Sequence, residues 1–281
     1  MARLFLLSDL HLSPTHGFFW ENWCRARDAA NAAGADLVVI NGDLCINGPD
    51  SDAEMAFAGR ALSRLTANWR ALPGNHDVGD EPPGQDPEQM IDAARIARWN
   101  RVFGADRFAV TVGDWRVLGL NAQLLGSGLA EEREQDAWLE AELGATARPV
   151  AILLHKPLFL NDPGEADFTT SCVTPSPRAR LLQFFTSADV RLVISGHLHA
   201  HRDTVIDGIR YLWLPSTSFV HGTHHGATPM AAVTSINLTA SAATVTLHHP
   251  EGLRAQDLAA IKQGKYAFLR DMPPCPPDMT L

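Results

Sequence analysis

A chain of 281 residues, 46% hydrophobic and 20% charged, is long enough to bury a sizeable core and fits one large α/β domain, with or without a small appendage. Its formal net charge of −9 gives no long-range pull on a polyanion, which argues against a nucleic-acid polymer as partner. Small anionic substrates stay open, because bound divalent cations would invert the local field.

The run Leu4–Leu7 reads as a buried strand, and it ends in Asp9 and His11. Residues two apart on extended backbone face one side, so a carboxylate and an imidazole are expected to converge at the strand's C-terminal edge. That edge is where open α/β sheets build their sites. A helix is expected over Phe19–Gly34, a strand over Asp36–Ile40 and a helix over Ser51–Leu65 whose buried side is Met55, Leu62 and Leu65. A short strand, Trp69–Leu72, is stopped by Pro73-Gly74. This βαβαβ order favours a parallel sheet. Asp80–Pro87 reads as a surface loop and Pro87–Phe103 as a helix. Phe108–Val112 and Arg116–Leu120 flank Gly113-Asp114 as a hairpin. Glu131–Leu143 reads as a helix with acids in its first turns, and Trp138, Leu139 and Leu143 toward the core. Val150–Leu154 is a further strand, followed by a long polar connection, Asn161–Pro177, placed on the substrate rim. Ser176–Ser187 reads as a helix with Ser176 as cap and Pro177 at its first position, and Val190–Ser195 as a strand. Thr204–Ile206, Arg210–Leu214, Met230–Ile236 and Ala243–Leu247 read as an antiparallel run that completes a second sheet. The domain is expected to span 1–250, with 251–281 as a short helix and a Pro-rich tail.

Cys24, Cys45, Cys172 and Cys275 are widely spaced with no C-x-x-C, which argues against a zinc ribbon or redox motif and for free thiols. No apolar stretch reaches the length of a membrane span, so no membrane partner is expected. Met1-Ala2-Arg3 leads straight into the first strand without room for a signal peptide, and a cytoplasmic location is expected.

One Asp-x-His alone is a capped strand end. Here the pattern recurs: Gly42-Asp43, Gly74-Asn75-His76-Asp77, His155 and Gly196-His197-Leu198-His199 each follow a short hydrophobic run. The candidate ligands are Asp9, His11, Asp43, Asn75, His155, His197 and His199. This mixture of carboxylate, imidazole and amide suits Mn, Fe, Zn or Co, and the lack of Cys among them argues against structural zinc. Seven side chains are too many for one tetrahedral ion and about right for two ions, roughly 3.5–4 Å apart, that share a carboxylate and clamp a phosphoryl group. A metal-bridging hydroxide would then be the nucleophile. His76, beside a ligand but surplus to the count, is placed to stabilise the leaving oxygen, with Asp77 to orient it.

As a set, in order and spacing, these motifs resemble the signature of the calcineurin-like metallophosphoesterases over roughly residues 3–217. The resemblance implies a four-layer αββα sandwich of two mixed β-sheets flanked by helices, and a dinuclear metal centre. By that pattern Asp9, His11, Asp43 and His199 would hold one ion. Asp43, Asn75, His155 and His197 would hold the other. Protein phosphatases of this superfamily carry Gly-Asp-x-Val-Asp-Arg-Gly at the second motif. Here the stretch reads Gly42-Asp43-Leu44-Cys45-Ile46-Asn47-Gly48, with Asn47 in place of the phosphate-gripping Arg. That speaks against phosphoproteins. The compact layout resembles small bacterial phosphodiesterases of cyclic nucleotides or glycerophosphodiesters. A diester carries one charge fewer than a monoester, which fits the missing Arg.

The leading expectation is a phosphodiesterase for small diesters. A phosphomonoesterase or nucleotide pyrophosphatase is the second, and a non-catalytic scaffold the third. Asn75, His76, His221 and His224 are the substrate-binding candidates, the last two on the stretch His221–Gly226 that reads as a pocket wall. Trp20 and Trp23 read as packing, and His248-His249 as a surface strand end. The β-rich C-terminal portion and its Pro-rich arm are where a homodimer would form.

Overall fold

The computed structural model describes residues 1–257 apart from 85–86, 168 and 221–224. In chain order the elements are β1 (Ala2–Leu7), α1 (Trp20–Ala32), β2 (Leu37–Asn41), α2 (Asp52–Leu62), β3 (Trp69–Leu72), α3 (Asn75–Val78), α4 (Ala93–Phe103), β4 (Phe108–Val112), β5 (Trp115–Leu120), α5 (Ala130–Gly144) and β6 (Val150–Leu154). They continue with α6 (Pro175–Phe185), β7 (Val190–Ser195), β8 (Ala200–Ile206), β9 (Ile209–Trp213), β10 (Phe219–Val220), β11 (Thr228–Pro229), β12 (Val233–Leu238), β13 (Ala243–His248) and β14 (Gln256–Asp257).

Two mixed sheets carry the fold. One runs β13-β12-β1-β2-β3 and the other β11-β8-β9-β7-β6-β5-β4. Strand alternation sorts the apolar side chains into three layers. Leu4, Leu6, Leu37 and Val39 of the first sheet meet Val117, Ala151, Leu153 and Ile194 of the second. Phe5, Leu7, Val38 and Ile40 point the other way, against Trp23, Ala26, Met55 and Ala58 of α1 and α2. Leu118, Ile152 and Leu154 do the same against Leu139, Leu143, Leu181 and Phe185 of α5 and α6. Helix, sheet, sheet, helix is the expected αββα sandwich.

Several boundaries moved for local reasons. The expected helix over Pro87–Phe103 is a 3-10 turn at Pro87–Gln89 and then α4. Asp92 starts α4 by accepting the Arg95 N–H at 2.8 Å, a cap no preceding turn can extend through. α6 begins at Pro175, with Thr174 at the cap position, two residues before the expected start. Ser51 caps α2, accepting from Glu54 N at 3.2 Å.

The C-terminal strands were expected to complete the second sheet, and only β8, β9 and β11 do so. β12 crosses back to pair antiparallel with β1, Ala2 opposite Leu238, and β13 forms the edge beyond it. β14 pairs in parallel with β10, so the described part of the expected tail helix ends in a strand attached to the domain. The rest of that tail lies outside the described residues. No helix among the described residues is long and apolar enough to cross a membrane.

Candidate metal centre

The motif loops leave the C-terminal ends of β1, β2, β3, β6 and β7, and hydrogen bonds lace them together. Asp9 N–H donates to Gly42 O and His11 N–H to Asp43 O, both at 3.0 Å. Asn41 Nδ2 reaches across to Leu154 O at 3.1 Å, and Gly196 N–H donates to His155 O at 2.8 Å. Both sheets thus converge on one edge.

The expectation that Asp9 and His11 share a face through strand alternation needs correcting. β1 stops at Leu7, and both residues sit in left-handed backbone, at φ +58° and +47°. Asp43, His197 and His199 do likewise, at +54°, +69° and +53°. Side chains converge because the chain turns back on itself after each strand. Few L-residues tolerate this, Asp, Asn and His among the best. Two glycines make room: a Cβ on Gly42 would lie 2.2 Å from His155 Nδ1, and one on Gly74 would lie 2.1 Å from Asp43 Oδ1.

Two ligand groups result. Asp9, His11, Asp43 and His199 each offer a donor atom within 4.8 Å of the others, and so do Asp43, His155 and His197. Asp43 belongs to both. The donor chemistry fits divalent ions. Buried Asp9 Oδ2 and Asn75 Oδ1 have no hydrogen-bond partner among the described residues, a costly state for such atoms unless a cation takes their lone pairs. Two ring nitrogens are committed to carbonyls: His155 Nδ1 lies 2.7 Å from Asn41 O, and His199 Nδ1 lies 2.7 Å from Phe219 O. Each leaves Nε2 to the site, the arrangement that fixes tautomer and ring angle in metal-binding histidines. Asp9 is held down at about 2; burial works against its charge, and His199 and His155 outweigh it.

Asn75 and His76 open α3. His76 N–H donates to Asp43 Oδ1 at 2.9 Å, and His76 Nδ1 lies 2.7 Å from Ile46 O. Its ring stands edge-on to His11, with centroids 4.8 Å apart. Asp77 was expected to orient His76, and the structure puts it to another use. Its carboxyl accepts from the backbone N–H of Leu44, Cys45 and Gly74 at 2.9–3.0 Å, pinning the Asp43 and Asn75 loops to each other. Burial, then the Asp43 charge, pushes it up to about 7.

The expected surface loop from Asp80 starts deep inside. Asp80 and Glu81 are buried and lie 2.7 and 2.6 Å from Lys156 Nζ, itself buried beside His155. Burial pushes Glu81 up to about 8. Desolvation opposes the Lys156 charge, and Glu81 and Asp80 outweigh it. Gln123, oriented with its nitrogen 2.6 Å from Glu81 Oε2, places its oxygen 3.3 Å from Asn75 N and so ties the triad to the site. Pro and Gly nearby hid this in the sequence; a Lys following a ligand His was the available signal. Replacing Lys156 with Met leaves two buried carboxyls to share one proton. The expected cost is about 3 kcal/mol in urea unfolding, and an unchanged midpoint would contradict the pairing.

Of the remaining expectations, Trp23 packs in the core and Trp20 lies against Phe57. His248 ends β13 with Nε2 2.8 Å from Ser235 Oγ. His221 and His224 lie outside the described residues.

Residues 2–201 match the sequence profile of the calcineurin-like phosphoesterases. The chain belongs to that family. Its Asp and His residues form two groups that could each hold a metal ion, with Asp43 in both. It is 28% identical over 237 residues to the 3',5'-cyclic adenosine monophosphate phosphodiesterase CpdA of Escherichia coli, covering 77% of this chain and 76% of that protein. It is 38% identical over 133 residues to the serine/threonine-protein phosphatase CPPED1 of Bos taurus, covering 45% of this chain. That match spans only 39% of the bovine protein's length. In fold it resembles a dimetal phosphatase from Danio rerio, with a TM-score of 0.60 at 15% identity over 88% of this chain and 95% of that one.

Proposed function

We propose that this calcineurin-like phosphoesterase is a dinuclear phosphodiesterase of small diesters, a cyclic nucleotide or a glycerophosphodiester. The observation that carries the reading is Asp43, which stands in both ligand groups and so joins two ion positions into one centre. Asp9, His11, Asp43 and His199 would hold one ion; Asp43, Asn75, His155 and His197 would hold the other. Two divalent ions, Mn, Fe, Zn or Co, would activate water at neutral pH and neutralise the phosphoryl oxygens.

The chain's own residues supply the rest. His76 Nδ1 is committed to the Ile46 carbonyl, so proton transfer to the leaving oxygen falls to Nε2. Asn47, where protein phosphatases carry Arg, accepts from Gln89 Nε2 at 2.7 Å and offers no cation to a dianion. A diester, with one charge fewer, asks less of that position. The E. coli cyclic-nucleotide enzyme supports the same reading, since it aligns over three quarters of its length. We place the enzyme in the cytoplasm with no polymer or membrane as substrate.

A phosphomonoesterase is the second reading, favoured by the identity to the bovine phosphatase over 133 residues. Turnover of bis-p-nitrophenyl phosphate against p-nitrophenyl phosphate on Mn-loaded protein separates them. The expected result is at least a tenfold higher kcat/KM for the diester, about 1.4 kcal/mol in the barrier. A monoester preference would bring the second reading forward.

A further inference from the structure

The loop after β9 holds the first ligand group from behind. Ser218 Oγ donates to Asp9 O at 2.6 Å, and Thr217 N–H donates to Ser8 O at 2.8 Å. Phe219 O takes His199 Nδ1 at 2.7 Å, and the Phe219 ring lies 4.2 Å from the His199 ring and 4.9 Å from His11, centroid to centroid. Two residues of this loop, β10, have strand partners, and those are in β14. Most of its backbone needs other support, because buried carbonyls must find donors.

The carbonyls can be followed in order. Ser216 O accepts from Ala232 N–H at 3.1 Å. Thr217 O and Ser218 O both accept from Asn22 Nδ2 at 3.0 Å. Asn22 is buried on α1 and belongs to none of the motifs. The same amide nitrogen donates to Arg254 O at 2.8 Å, and Asn22 Oδ1 accepts from Arg254 N–H at 3.0 Å. One side chain therefore joins α1, the loop behind Asp9 and His199, and the segment that leads into β14.

We propose that Asn22 is a positioning residue for the first ligand group, acting through Thr217–Phe219 on Asp9 and His199, with Arg254–Asp257 as the strap that closes the loop from outside. This rests on the dinuclear reading. An alanine at 22 leaves three carbonyls and one amide of the loop and strap without their partner. The loop then loses the backbone register that aims Phe219 O at His199. Groups that orient metal-binding histidines typically contribute on the order of 10–100-fold in metal affinity.

Asn31 supplies the control. It sits on the same helix and latches another loop, donating to Arg64 O at 3.2 Å and accepting from Thr66 N–H at 2.8 Å, away from the site. Mn²⁺ is titrated calorimetrically into metal-free wild type, Asn22→Ala, Asn22→Asp and Asn31→Ala. One of two binding steps is expected to weaken about tenfold or more in both Asn22 variants, with the other step unchanged. Asn31→Ala should bind both ions as wild type does. Asn22→Asp keeps the acceptor for Arg254 N–H, so it carries the test if the alanine variant does not fold.

Deuterium uptake in metal-free protein gives the independent readout. A peptide covering Thr217–Val220 should exchange faster in the Asn22 variants and not in Asn31→Ala. Unchanged uptake there, or equal loss of both binding steps in the Asn31 control, overturns the proposal. A wild type that binds a single ion would instead sink the dinuclear reading, and the uptake result would still decide the role of Asn22.

Discussion

Asp43→Asn is expected to lower kcat/KM on the order of 10⁴-fold, about 5 kcal/mol of transition-state stabilisation, with the protein still folded. Asp43 Oδ1 accepts the His76 N–H at 2.9 Å, and Oδ2 lies 3.2 Å from His155 Nε2 and 3.8 Å from His11 Nε2. An amide has the same shape and keeps one acceptor oxygen. It removes the single charge that both ligand groups share, so both ion positions weaken together. Asp77, pushed up first by burial and then by the Asp43 charge, keeps its backbone hydrogen bonds in the variant. Metal analysis after dialysis, beside kinetics and a thermal melt, checks all three statements. Two ions retained at wild-type turnover would remove Asp43 from its bridging place.

His76→Ala is expected to act on a different step. With an alkoxide leaving group, as in a cyclic nucleotide, kcat should fall about 10³-fold, within the usual range for losing a general acid. With p-nitrophenolate, which leaves without a proton, the loss should be far smaller. Metal content should hold, because His76 contributes to neither ligand group. The ratio of the two losses is the measurement. Equal losses on both esters would show that the ring acts on the phosphoryl oxygens and not on the leaving one.

What could be read from the sequence was local. A short apolar run followed by Asp, Asn or His is visible in a window of eight residues, and six of the seven ligand candidates, all but Asn75, fall in the two groups of neighbouring donor atoms. The continuous apolar runs Leu4–Leu7 and Val150–Leu154 likewise foretold buried strands. What escaped depends on pairing across the chain. β12 joins β1 over a separation that no window spans, so its sheet could not be assigned from its own residues. Asp80 and Glu81 read as loop because their burial depends on Lys156, far along the chain. Asn22 is one polar residue on an alanine-rich helix, and its three carbonyl partners lie in segments around 217 and 254. Asp9 and His11 do converge, but not for the reason expected. Their left-handed backbone has no signal in hydrophobic pattern.

That backbone has a further consequence. Five of the seven described non-glycine residues at positive φ are ligand candidates. For most L-residues this conformation costs roughly 1–2 kcal/mol, with Asn and Asp among the exceptions. The site's chemistry is therefore encoded twice, once in the donor atoms and once in the handedness of the turns that carry them. A mutational path from Asp43 to Glu, or from His11 to Cys, meets resistance from the main chain before any metal is considered. Retuning this centre toward softer ions by exchanging donors would have to begin with the turns.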